Sequence, residues 1–213
     1  MDILNASPAV HAHGTRGDAL DRSSLAFVAH DADQDPCPAI VRRRVGNWLW
    51  QIRQDHAALL ETGPAGGWEH IEADPAATRV KQNEGREVWR LARPDGDVFV
   101  KYSLIDNIPA RLKRWLRGPV CFSEWQAALY ARQQAIPAVE PLACAYSPSR
   151  WGTAKSILIT AALPDARPLH DVWADRLREA QSRGDYGPAR RLIEALADLL
   201  ATAHQRGLQH ADL

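Results

Sequence analysis

The chain has 213 residues, 46% of them hydrophobic, enough for one globular domain or one and a half. Its 26 basic and 26 acidic side chains cancel, so no global field draws it to nucleic acid or to an acidic partner. Three cysteines, Cys37, Cys121 and Cys144, are too few and too scattered for a disulfide framework, form no C-x-x-C pair for structural zinc, and read as free thiols of a reducing cytoplasm.

Residues 1–35 mix Ala, Asp, His, Ser and Gly without periodicity and read as a disordered leader. Asp2 stands where a signal peptide would be basic, and His11 and His13 alone do not make a metal site. No apolar run is long enough to span a bilayer, so the expected location is cytoplasmic. Residues 36–76 read as an N-terminal extension. Trp48, Leu49, Ile52, Ala57, Leu59 and Leu60 suggest a short helix between 40 and 60, broken by the glycines around Pro64.

Strand-like patterns follow at 77–83 and 87–93. The turn signal Pro94-Asp95-Gly96-Asp97 then leads into Val98-Phe99-Val100-Lys101-Tyr102 and predicts a hairpin. Helices are expected at 108–116 and 122–135, the second closed by Ile136-Pro137. Two more strands are expected at 139–146 and 156–162. From 168 the chain reads as helical, most clearly over 188–205, with Pro188 in the first turn and Gly207 as the stop. A β-rich part with one inserted helix, then helices, is an α+β chain with two lobes, expected at 77–165 and 166–213.

Phosphoryl transfer needs a cation on the nucleotide phosphates, a group that holds that cation, metal ions, and a carboxylate aimed at the attacking hydroxyl. Lys101 stands in an apolar strand, where its ammonium needs either solvent or a partner. Glu124, 23 residues later near the start of a helix, is a candidate partner, although a carboxylate there also suits the helix dipole. A helix, Gly207, a short apolar extension and then His210-Ala211-Asp212-Leu213 supply the candidate carboxylate. Each feature has a plain structural reading by itself; their order along one chain gives them meaning together.

From residue 77 to 213 the chain resembles the protein-kinase-like superfamily, and within it bacterial lipopolysaccharide core kinases, which phosphorylate heptose or Kdo. The likeness rests on Phe99-Val100-Lys101-Tyr102, on Ser123-Glu124-Trp125, on Ile136-Pro137 followed by Pro141, and on Leu158-Ile159-Thr160-Ala161-Ala162. It implies an antiparallel small lobe with one helix, then the first helices of a large lobe. It further implies ATP with magnesium, and a lipopolysaccharide-core sugar as acceptor. Asp212 would be catalytic, His210 a structural residue of the loop, and Lys101, Glu124 and Gly85 would serve the nucleotide.

Two departures bear on the activity. The bend at 81–87 has one glycine, Gly85, where three would let backbone amides approach phosphates. The Asn and Asp that hold magnesium in such enzymes, expected after Asp212, are not in the sequence, so the reading is of an inactive C-terminal truncation. Two alternatives stay open: a non-catalytic pseudokinase that binds a partner, or a small-molecule phosphotransferase of the aminoglycoside or choline type. Ala211, where those relatives favour glycine, tilts against the last. Arg111, Lys113, Arg114 and Arg117, interleaved with Leu and Trp, are candidates for peripheral contact with an anionic membrane face.

Overall fold

The computed structural model describes residues 38–65, 67–105, 119–147, 154–164 and 166–208. Seven antiparallel strands form one sheet: β1 (Ile40–Val45), β2 (Trp48–Arg53), β3 (Ala77–Asn83), β4 (Arg86–Leu91), β5 (Val98–Ile105), β6 (Pro141–Tyr146) and β7 (Ala154–Ala161), in the order β1-β2-β6-β7-β5-β4-β3. The helices are α1 (Val120–Gln133), α2 (residues 169–182, with a π-helical turn at Trp173–Leu177) and α3 (Gly187–Gln205). This is the α+β architecture expected, a sheet with one inserted helix and then helices. The expected helix at 108–116 lies outside the described residues.

The segment 40–60 departs from expectation. A short helix was expected within it, on Trp48 to Leu60; instead residues 40–53 form the β1–β2 hairpin, and only Gln54–Leu60 is helical, as a 3-10 helix. Trp48, Leu49 and Ile52 fit a helical face, but Trp48, Trp50 and Ile52 also fit the two-residue period of a strand, and these three are the buried ones. Val45 pairs with Trp48 across a two-residue turn, Gly46-Asn47, with Gly46 at φ +57°. Glycine at positive φ in the first turn position suits a two-residue turn that matches strand twist, so the local code favours a hairpin over a helix.

Both faces of the sheet are covered. On one, Trp48, Trp50 and Ile52 join Trp89, Val100, Ala145, Ile157 and Ile159, and the segment after β2 lays Leu59, Trp68 and Ile71 over them. Tyr102 donates its hydroxyl to the Trp68 carbonyl at 2.7 Å, which ties this cover to β5. Gly63 is needed there, because a Cβ would lie 2.7 Å from the Trp68 indole nitrogen. On the other face, α1 buries Cys121 and Trp125 against Cys144 of β6 and Leu158 of β7.

Arg53, buried at the end of β2, is hydrogen-bonded to Asp55 and Glu140, and Arg132 of α1 reaches Glu140 at 3.1 Å. Burial alone would disfavour the guanidinium, but the two carboxylates outweigh it and raise its pKa. This trio holds the hairpin, the entrance to β6 and the end of α1 together.

Helices α1 and α3 end in the same way, and the two ends meet. After α1, Ala135 takes φ +49°, Ala135 N–H bonds to the Arg132 carbonyl and Ile136 N–H to that of Ala131. After α3, Gly207 takes φ +79°, with the equivalent bonds to His204 and Ala203. Both are Schellman motifs. Ala131, Ile136 and Ala203 share a small core flanked by Leu199 and Leu208. The Arg206 guanidinium donates to the Ala135 carbonyl at 2.8 Å, and Tyr130 donates to the Arg206 carbonyl at 2.7 Å. Elsewhere the apolar stripe of α3 is open, with Ile193 59% exposed.

Gly207→Ala is expected to destabilise the protein by about 1–2 kcal/mol, because alanine resists positive φ and its Cβ would crowd the Tyr130 hydroxyl at 3.2 Å. Urea denaturation of both proteins reads this directly; an unchanged midpoint would refute the strained cap.

Candidate functional site

The site is built on one row of the sheet. In β5, Lys101 pairs with Val88 of β4 on one side and with Leu158 of β7 on the other, and Leu158 pairs in turn with Cys144 of β6. Cross-strand partners point to the same face, so Lys101, Leu158 and Cys144 all face α1. Trp125, 1% exposed, seats the helix on that row. One residue before it, Glu124 is turned toward Lys101.

Lys101 Nζ donates to both carboxylate oxygens of Glu124, at 2.8 and 2.7 Å. Each side chain is about one-third exposed, at 30% and 31%. A pair so placed contributes only about 0–1 kcal/mol to stability. Its importance is geometric: it holds the lysine extended and pointed away from the strand. Lys101 is not on an edge strand, because β5 has a paired strand on each side.

Gly85 forms the tip of the β3–β4 hairpin at φ +71°, its carbonyl accepting from Leu104 N–H at 2.8 Å. A Cβ would lie 3.1 Å from the Leu104 carbonyl, so glycine is required on both counts. The hollow beside it is lined by Gln82, Asn83, Glu84, Arg86, Glu87 and Leu104. Lys101 does not line it; it lies three residues from Leu104, about 10 Å along the strand. The structure therefore joins Lys101 to Glu124 and leaves Gly85 at one end of the same strand pair.

His210 and Asp212 lie outside the described residues, as do Arg111, Lys113, Arg114 and Arg117. What is described stops at Leu208, four residues short of Asp212, where the α3 cap has just tied the chain to the end of α1. Among the described residues, no group of three or more His, Cys, Asp or Glu side chains could hold a metal ion. Among them also, no helix is long and apolar enough to cross a membrane.

Sequence reasoning missed three groups around the site: the Arg53–Glu140–Arg132 link, the Tyr130–Arg206 clamp, and the meeting of Cys121 with Cys144. An arginine in the apolar strand 48–53 carries the same signal that singled out Lys101. The other two depend on which helix end or strand row lies opposite, which sequence periodicity does not encode.

Neither a curated protein nor a solved structure matches the chain. A family model does match, that of the lipopolysaccharide kinase (Kdo/WaaP) family, over residues 106–213. The matched stretch contains Glu124, His210 and Asp212 but begins after Lys101, so the sheet geometry, and not the match, joins the lysine to Glu124. The matched stretch covers half of the chain, and the chain belongs to the lipopolysaccharide kinase (Kdo/WaaP) family.

Proposed function

We propose that this chain carries the nucleotide-holding part of a kinase-type phosphotransferase whose acceptor is a sugar hydroxyl of the lipopolysaccharide core. The observation that carries the proposal is the two-point contact of Lys101 with Glu124 in a chain of this family. A lysine held extended by a carboxylate presents a fixed positive charge to the α- and β-phosphates of ATP. Free in solution, a lysine side chain would lose rotamer entropy on binding phosphate; the carboxylate removes much of that cost in advance.

ATP supplies the transferred phosphoryl group. The roles of the chain's own residues then follow. Lys101 binds phosphate oxygens, Glu124 orients Lys101, and the glycine turn at 85 leaves backbone room beside the nucleotide. Asp212 accepts or orients the proton of the attacking sugar hydroxyl, and His210 shapes the loop that carries it. Magnesium belongs to this chemistry in kinases generally. Arg111, Lys113, Arg114 and Arg117 would bring the protein to the anionic inner face of the membrane, where a lipid-linked acceptor lies.

Lys101→Ala is expected to weaken binding of a fluorescent ATP analogue about tenfold or more, since it removes a charge-assisted contact and leaves Glu124 facing the phosphates. Circular dichroism of the variant should match the parent. Equal affinity in the two proteins would show that Lys101 does not meet the phosphates.

Transfer of labelled phosphate from ATP to core oligosaccharide tests the rest, with Asp212→Asn compared against the parent gene product. Loss of a positioned proton acceptor should lower turnover by about 10²–10⁴-fold while leaving analogue binding unchanged. An active Asp212→Asn protein would remove Asp212 from the proposed role.

A further inference from the structure

Two buried thiols meet beneath the first turn of α1, beside the ion pair. Cys121 is 3% exposed and Cys144 fully buried, and neither is in a disulfide. The two side chains pack in one buried cluster with Trp125 and Leu158, and Cys121 donates to the carbonyl of Ala145, the residue after Cys144 in β6, at 3.3 Å. The Ser156 hydroxyl, also buried, has no hydrogen-bond partner among the described residues and lies beside the Cys121 sulfur. It is therefore free to donate to a thiolate there.

These groups treat the two sulfurs differently. The neighbouring Cys144 thiol lowers the pKa of Cys121 against burial, Ser156 adds to the lowering, and the nearby Glu124 carboxylate opposes it. The first-turn position of Cys121 favours its thiolate further. Cys144, beside the Cys121 sulfur and deeper in the sheet, is raised. One thiol is thus suited to attack and the other to follow, as in pairs that exchange with disulfides.

We propose that Cys121 and Cys144 form a reversible thiol–disulfide site that takes low-molecular-weight disulfides such as oxidised glutathione. The Cys121 thiolate attacks one sulfur of the small disulfide, whose S–S bond breaks; one small thiol leaves with the electron pair and takes up a proton. Cys144 then loses its proton to solvent and attacks the Cys121 sulfur, expelling the second small thiol. Two protein thiols are oxidised to one disulfide, and one small disulfide is reduced to two thiols. Access comes from opening of the first turn of α1, which starts at Pro119 with no side-chain cap over its free amides.

The site's location gives the bond a consequence. Cys121 and Glu124 are one helical turn apart on α1, and their partners Cys144 and Lys101 stand on the same sheet row with Leu158 between them. A disulfide at one contact fixes the helix over the row that bears the other.

The test uses the whole chain with Cys37→Ser, so that one intramolecular pairing is possible. The protein is held with excess oxidised glutathione under native conditions. It is then quenched in denaturant with N-ethylmaleimide and mapped by peptide mass spectrometry. The expected result is a Cys121–Cys144 linked peptide, reversed by dithiothreitol, with a thermal midpoint several degrees above that of the reduced protein. Cys144→Ser should retain glutathione on Cys121, and Cys121→Ser should take it up at Cys144 at least tenfold more slowly. Both thiols carrying maleimide after saturating oxidant would overturn the proposal, as would a link that forms only in denaturant. Equal uptake by the two single variants would overturn the order of attack. The mapping in the parent needs neither variant to fold.

Discussion

A cation on an interior strand of a covered sheet needs a partner, and most of this architecture follows from how Lys101 gets one. β5 has β4 on one side and β7 on the other; the segment after β2 covers one of its faces, and α1 packs on β6 and β7 beside the other. An ammonium in that position is tolerated only if a carboxylate comes to it or it reaches water. Glu124 comes to it because Trp125, the next residue, is the side chain that seats α1 on β6 and β7. The apolar contact sets the depth and rotation of the helix, and the polar contact uses that setting. A change of register in β7 by one residue would turn Leu158 to the opposite face and take the seat away.

The second constraint lies at the other end of α1. Its last turn is joined to the last turn of α3 by a shared apolar cluster, by Arg206 on the Ala135 carbonyl and by Tyr130 on the Arg206 carbonyl. Donor and acceptor cross in both directions, so neither helix end can rotate without breaking a bond. α1 thus has two fixed ends: one holds Glu124 against the sheet, and the other holds the start of the chain that runs on toward His210 and Asp212. Ala135 takes up the left-handed backbone that Gly207 takes up more easily, which places the strained cap on the helix with more tertiary support.

The sequence was legible where the chemistry of a residue is decided locally. Pro94-Asp95-Gly96-Asp97 forced a turn, Pro188 and Gly207 bounded a helix, and β-branched runs gave β5 and β7 within three residues of their ends. Lys101 and Glu124 could be singled out because each is an oddity in its own segment, and their ordering matched a known arrangement. The hairpin at 40–53 was missed because Trp48, Leu49 and Ile52 satisfy two periods over so short a stretch. The arbiter is Gly46-Asn47, the turn that joins the two strands of the hairpin. The Cys121–Cys144 meeting was not legible at all, since it depends on strand order: β6 lies beside β7, and only then does Cys144 fall under α1.

That strand order also explains what the first described residues do. β1 and β2 add to the sheet beyond β6, and Trp48, Trp50, Trp68 and Ile71 share one core with Val100, Ile157 and Ile159. The stretch before Ala77 is therefore part of the wall behind Lys101. Val100 and Tyr102, the neighbours of Lys101 in β5, point into that wall, Val100 fully buried and Tyr102 bonded to the Trp68 carbonyl. With its neighbours anchored on one face, the lysine is committed to the other. The alternation of a β-strand turns apolar packing behind the sheet into the direction of a charge in front of it.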